Sequence, residues 1–184
     1  MGMKLVAAGL FVLGAALIAR AEMKEKEPLR VVPEVDFARY AGLWYEVARL
    51  PNRFEEKCAG DVTAEYTLLR EGRIKVVNRC RKRDGKMSVA EGVARLADKK
   101  KENSRLKVRF APSFLSFLPF VWGDYQILEL SPDYTHALVG APDRKYLWVL
   151  SRTPRMDEAT YQRLLDAARA QGFDVGPMIR TKQG

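Results

Sequence analysis

Residues 42–56 read GLWYEVARLPNRFEE, from Gly42 to Glu56. The stretch starts as a short alternating segment and ends in an extended loop. Further segments of the same kind follow it, and a long helical period appears only near the C-terminus. That layout describes an antiparallel barrel, and a barrel of this size has room inside for one small apolar molecule. Ligand carriage is therefore expected rather than chemistry.

Working outward, eight short strands are predicted at 43–50, 59–69, 74–80, 87–96, 106–110, 125–130, 136–140 and 146–151, joined mostly by tight turns. Val62, Ala64, Tyr66 and Leu68 share one face of the second strand, and Ile74, Val76 and Asn78 one face of the third. A helical turn over 35–40 is capped by Asp36. From Met156 to Gln171 the period changes to nearly four, with Asp157 as the cap, Tyr161, Leu164, Leu165 and Ala168 as the apolar stripe, and Gly172 as the stop. Such a helix packs on one side of a barrel. Residues 173–179 are predicted to add a last short strand. The fold class is all-β, an eight-stranded up-and-down barrel with one C-terminal helix.

The 184 residues, 47% of them hydrophobic, suit one domain with one core. Residues 1–21 read as a signal peptide: Lys4 gives a basic start, Leu5 to Ala19 is apolar, and Ala19 and Ala21 occupy the positions a signal peptidase reads. An uncleaved anchor is the alternative, but the apolar run is short of the roughly 20 residues a span needs. Residues 22–34 are expected as a charged, proline-containing tether, and 35–184 as the folded domain. Without Lys4 and Arg20 the formal charge falls by 2, from +9 to +7. That favours anionic surfaces. Nucleic acid is excluded as a partner because no recognition motif accompanies the charge.

Cys58 and Cys80 are the two cysteines. An exported compartment permits a disulfide between them. A simple hairpin turning at Glu71-Gly72 opposes it, because Cys80 then faces Thr63 and Cys58 lies about 16 Å further along the strand. A disulfide needs Cα atoms within about 7 Å. A bulge, a shifted turn or a folded-back start of the strand would close the gap and tie the two strands together.

Catalytic and metal sites are not advertised. His136 is the one histidine, and neither cysteine has metal-ligand spacing. Ser131, Ser151, Asp36, Asp61 and Glu129 have no evident partners. No phosphate loop and no cofactor motif is present. The chain is expected not to be an enzyme.

Two surfaces carry functional expectations. Residues 114–122 read FLSFLPFVW, a long apolar loop. It either folds over the barrel wall as core or forms a lid at the mouth against ligand or membrane, and the lid is the expectation. Arg81, Lys82, Arg83 and Lys86 form a basic turn. Alternate loops of an up-and-down barrel emerge at one end, so this turn lies near the apolar loop. Apolar groups beside positive charge suit an acyl chain with an anionic head, or a phospholipid surface. A plain solvated turn is the bland alternative. Lys99, Lys100 and Lys101 fall at the opposite end and have no assigned role.

Several stretches together resemble a known family. Gly42-x-Trp44-Tyr45-Glu46 resembles the first signature of the lipocalins. Asn52-x-Phe54-Glu55 and Val62-Thr63-Ala64-x-Tyr66 resemble its bacterial outer-membrane branch, related to apolipoprotein D. Asp133-Tyr134 with Ala137-Leu138-Val139 is similar to the second signature, and residues 147–152, LWVLSR, to the third. The resemblance implies a barrel open at one end, with Trp44 plugging the closed end and Arg152 packed across its indole. It also implies binding of fatty acids or lysophospholipids in envelope maintenance. The family's bacterial lipid-anchor cysteine has no counterpart here, so export to the periplasm or beyond, at most peripheral at the outer membrane, is expected.

The expected cavity lining is Tyr66, Leu68, Val76 and Asn78, with Tyr125 and Ile127 sharing a face that is not assigned as inner or outer by parity. Phe110, Phe114, Phe117 and Trp122 are expected at the mouth. The partner is expected to be a fatty acid or lysophospholipid and the oligomer a monomer or homodimer. The alternatives are a structural protein that uses residues 113–122 as a protein contact, and, behind it, a barrel enzyme with a polar cluster inside.

Overall fold

The computed structural model describes residues 27–98 and 100–184. The predicted signal peptide, the first residues of the predicted tether and Lys99 lie outside the described residues. Among the described residues nine strands form one sheet: β1 Gly42–Arg49, β2 Cys58–Leu68, β3 Ile74–Lys82, β4 Met87–Leu96, β5 Arg105–Arg109, β6 Gly123–Leu130, β7 His136–Gly140, β8 Leu147–Ser151 and β9 Ile179–Arg180. Neighbours in sequence pair antiparallel from β1 to β8, and β1 also pairs with β8, which closes the barrel. The eight-stranded barrel is thus confirmed. The added strand is β9, at the end of the segment where a last strand was predicted, and it lies beside the end of β1.

Helix α1, Phe37–Tyr40, is capped by Asp36, whose carboxylate accepts from the N–H groups of Ala38 and Arg39. Helix α2, Glu158–Arg169, is capped by Asp157 and buries Tyr161, Leu164, Leu165 and Ala168. This stripe covers the outer face of β7 and β8, where Leu138, Leu147 and Val149 are buried. Ala137, Val139 and Leu150 face the interior from the same strands. Both faces of these strands are covered, so they read as continuous apolar runs rather than alternation.

The part of the predicted tether that is described, residues 27–34, lies along the barrel. Leu29 is buried against the α2 layer, and the Val32 N–H donates to the Ile127 carbonyl at 3.0 Å. The Arg105 guanidinium donates to the Leu29 carbonyl at 3.0 Å.

The β2–β3 register differs from the simple hairpin by one residue: Thr63 faces Arg79, and Tyr66 faces Val76. Two irregularities between Cys58 and Thr63 then shorten the path, and Asp61 takes a left-handed φ of 52°. They bring the Cys58 and Cys80 Cα atoms to 5.6 Å, and the disulfide forms. The predicted gap is closed by the bulge.

Candidate functional site

The closed end is built on Trp44, which is fully buried. Its indole N–H donates to the Tyr40 carbonyl at 2.8 Å. The Arg152 guanidinium covers the ring, 4.0 Å from its centroid. Gly42 at φ +93° takes a backbone conformation that a side chain would strain, and a Cβ there would be in van der Waals contact with the Arg152 Nη1 at 3.4 Å.

Above this plug three tyrosines from distant elements meet. Tyr40 of α1, Tyr66 of β2 and Tyr125 of β6 join hydroxyls, Tyr40 to Tyr125 at 2.7 Å and Tyr66 to Tyr125 at 2.8 Å. Burial pushes all three phenols up, Tyr66 to about 12 and the others well above their ordinary value. They are neutral hydrogen-bonding groups at any physiological pH.

The trio is the floor of a cavity of about 830 Å³. Ile74, Val76, Ala94, Leu106, Val108 and Leu150 wall it. The size falls in the range of small-molecule sites, roughly 300–1,000 Å³. Half-buried Asn78 faces the cavity, and its Oδ1 has no hydrogen-bond partner among the described residues. The cavity opens between the loops that follow β1, β3, β5 and β7, where Arg53, Phe54, Phe110, Phe120, Pro142 and Tyr146 line it.

One wall carries a buried polar network. Regular alternation would put Glu46 and Arg49 on opposite faces, but a bulge between Glu46 and Ala48 shifts the parity. Glu46 then faces Leu150 and Arg49 faces Trp148, two residues that line the cavity. Arg49 donates to the Glu46 carboxyl at 2.9 Å and lies 3.2 Å from that of Glu55. The Trp148 indole N–H donates to Glu55 at 2.9 Å, and the Thr181 hydroxyl donates to Glu46. Burial, then the nearby Glu55, pushes the Glu46 carboxyl well above the usual range. Asn52 explains how Glu55 arrives there: its side-chain oxygen accepts from the N–H groups of Phe54 and Glu55. That turn sends Glu55 inward and Phe54 to the mouth, where its ring lies 5.7 Å from Tyr146.

The family called Lipocalin-like domain matches residues 35–183. This chain is a lipocalin. It is 44% identical over 162 residues to temperature-induced lipocalin-1 of Arabidopsis thaliana, covering 88% of this chain and 86% of the relative. It is 41% identical over 154 residues to the outer membrane lipoprotein Blc of Citrobacter freundii, covering 83% and 82%. Insecticyanin of the tobacco hornworm Manduca sexta shares the fold, with a TM-score of 0.66 at 19% identity, covering 86% of each chain.

Within this lipocalin the residues singled out from sequence fall as follows. Tyr66, Val76, Asn78, Phe110 and Tyr125 line the cavity. Ile127 faces inward but lies beneath it, packed with Trp44 in the buried layer. Leu68 shares the parity of Tyr66 yet lies beyond the floor, half out in solvent, and does not line the space. Phe114 and Phe117 stand in solvent on the loop outside the opening. Trp122 lies flat under Arg95 and Arg109, 4.2 and 5.2 Å from their guanidinium carbons, and its N–H donates to the Ser116 carbonyl at 2.8 Å. It anchors the loop rather than facing the cavity. Of the basic turn, Arg81 is paired with Asp61 and Lys82 with Asp84, while Arg83 and Lys86 are exposed. None of these four lines the cavity. The cations that do line its opening include Arg53 and Lys57, both exposed, which sequence reasoning passed over. Their signal was their place on the β1–β2 loop, at the same end as the apolar loop. His136 lies outside the barrel, where its Nε2 accepts from Arg163 of α2 at 2.8 Å.

Proposed function

We propose that this lipocalin binds and carries a small amphipathic lipid, a fatty acid or a lysophospholipid, in an exported compartment such as the bacterial periplasm. The observation that carries the reading is the cavity of about 830 Å³, apolar along its walls, with exposed Arg53 and Lys57 among the residues at its opening. A chain of about sixteen carbons gains roughly 12 kcal/mol from burial before ordering costs, at about 0.8 kcal/mol per CH₂. Micromolar or tighter binding follows, with weak discrimination by chain length. Arg53 and Lys57 meet an anionic head at the opening. The relatives named outer membrane lipoprotein support an envelope location. A solid interior would have favoured a purely structural role; the cavity supports carriage instead.

Native mass spectrometry and lipid extraction of protein purified from an exporting host test this. A discrete co-purifying lipid is expected, displaced by an added fluorescent fatty acid. Apo protein that also fails to bind the fluorescent fatty acid would refute carriage.

A membrane contact belongs to the same reading. Phe114 lies in the 3₁₀ turn Ser113–Leu115, Phe120 in the 3₁₀ turn Pro119–Val121, and Phe117 between the two. All three side chains stand out into solvent, 73%, 77% and 80% exposed. Such a ridge beside exposed Arg83 and Lys86 suits the interface of an anionic lipid surface, where a ligand is loaded or released.

A further inference from the structure

The floor of the cavity has one more proton than it can use. Three hydroxyls supply three O–H protons, and two hydrogen bonds join them. If the bonds run from Tyr40 to Tyr66, the Tyr66 proton is spare; if they run the other way, the Tyr40 proton is. If both outer hydroxyls donate to Tyr125, its own proton is spare. Among the described residues the three oxygens make no other hydrogen bond. Every arrangement therefore leaves one O–H donor, and several lone pairs, at the bottom of an apolar well.

A buried donor left without an acceptor is costly. A plain alkyl tail pushed to the floor would displace water from the trio and leave that donor unmet. An oxygen at the leading end of the ligand would meet it. The group must be neutral: Arg152 is turned to backbone carbonyls of residues 39–43, and no cation lines the floor beside Ile74, Ala94, Leu106 and Leu150. A carboxylate there would be desolvated with no cation in contact, since Arg152, whose charge reaches the Tyr40 and Tyr66 hydroxyls, is already held by the backbone carbonyls.

We propose that the cavity is built for an elongated chain whose buried end carries a neutral oxygen, a hydroxyl or a carbonyl, seated on Tyr40, Tyr66 and Tyr125. The preferred cargo is an acyl chain whose far end carries a hydroxyl or an aldehyde or ketone carbonyl rather than a plain methyl. This rests on lipid carriage and names the chemistry of the deep end, leaving the anionic head at the rim.

The test uses two acids of equal length, 16-hydroxyhexadecanoic acid and heptadecanoic acid, in which a methyl replaces the hydroxyl. Affinities for both are measured in the wild-type protein and in the triple variant Tyr40→Phe/Tyr66→Phe/Tyr125→Phe. The triple variant has no hydroxyl at the floor, and its ratio shifts toward the methyl-ended acid by about tenfold, the equivalent of one hydrogen bond. A ratio within about twofold of wild type in the triple variant overturns the proposal. Should that variant not fold, wild-type protein labelled with ¹³C at tyrosine Cζ decides. The hydroxy acid must shift buried tyrosine resonances that heptadecanoic acid leaves in place, and equal spectra overturn the proposal. If neither acid binds, carriage falls and the proposal with it. If both bind without discrimination between hydroxyl and methyl, only the proposal falls.

Discussion

Arg152 closes the barrel by holding two things at once. Its guanidinium lies 4.0 Å from the Trp44 ring centre, and it donates to the carbonyls of Leu43 at 2.8 Å and Ala41 at 2.9 Å. It also reaches the carbonyls of Arg39 and Tyr40. Those of Arg39, Tyr40 and Ala41 lie at the end of α1, where the helix itself leaves carbonyls unsatisfied, and that of Leu43 belongs to β1.

Lysine cannot reproduce a planar fork that both stacks and donates in several directions. Arg152→Lys is expected to cost about 2–3 kcal/mol, and Arg152→Ala at least as much. Urea unfolding checks this, and a loss under about 0.5 kcal/mol for either variant would contradict the role.

The disulfide joins residues 22 apart in sequence. Replacing both cysteines by serine is expected to cost about 3 kcal/mol through the freed loop entropy of the unfolded chain. Both cysteines line the cavity, so release of a bound fluorescent fatty acid should also quicken. Denaturation and stopped-flow release measure the two effects separately.

Glu46 sets a pH dependence whose sign is definite. Its folded-state carboxyl holds a proton at pH values where the unfolded chain, near the ordinary value of 4.5, has lost it. In that window the folded state binds more protons, so stability falls as pH rises above about 4.5 toward the folded value. Glu46→Gln removes this decline and keeps an acceptor for Arg49 and Thr181. His136 acts oppositely, because burial and Arg163 lower its pKa and its contribution is lost as pH falls below about 6.5. Urea midpoints between pH 5 and 8.5, taken in a His136→Gln background, isolate the Glu46 slope. An unchanged slope on adding Glu46→Gln would show that the carboxyl is not held protonated.

The aromatic ridge and its anchor should respond differently to substitution. Replacing Phe114, Phe117 and Phe120 together by serine is expected to weaken binding to anionic vesicles by about tenfold or more. The melting temperature should stay within about 2 °C, since the three side chains are largely exposed. Trp122→Ser removes the ring held by Arg95 and Arg109 and should lower the melting temperature. Vesicle flotation and thermal unfolding distinguish the two, and wild-type affinity in the triple serine variant would rule the ridge out as a membrane contact.

Much of the barrel was legible because its signals are local. Alternation placed Tyr66, Val76 and Asn78 on the cavity side, and Asp36 and Asp157 announced the helix starts. Loop order put the apolar segment at the open end. Parity misplaced Leu68 because alternation says which face a residue takes, not how far along the barrel axis the cavity extends. The basic turn was visible as charge, but its pairing of Arg81 with Asp61 depends on the bulged start of β2.

Sequence alone determined the strand count, the covering helix and the family, because period, caps and signatures are written within a few residues of one another. Tertiary structure decided the Cys58–Cys80 bond, the inward turn of Glu46 and Arg49, and the meeting of Tyr40, Tyr66 and Tyr125. The first two depend on bulges, where one extra residue changes register or reverses parity. The third needs α1, β2 and β6 brought to one depth by the curl of the sheet, and no local pattern encodes that depth.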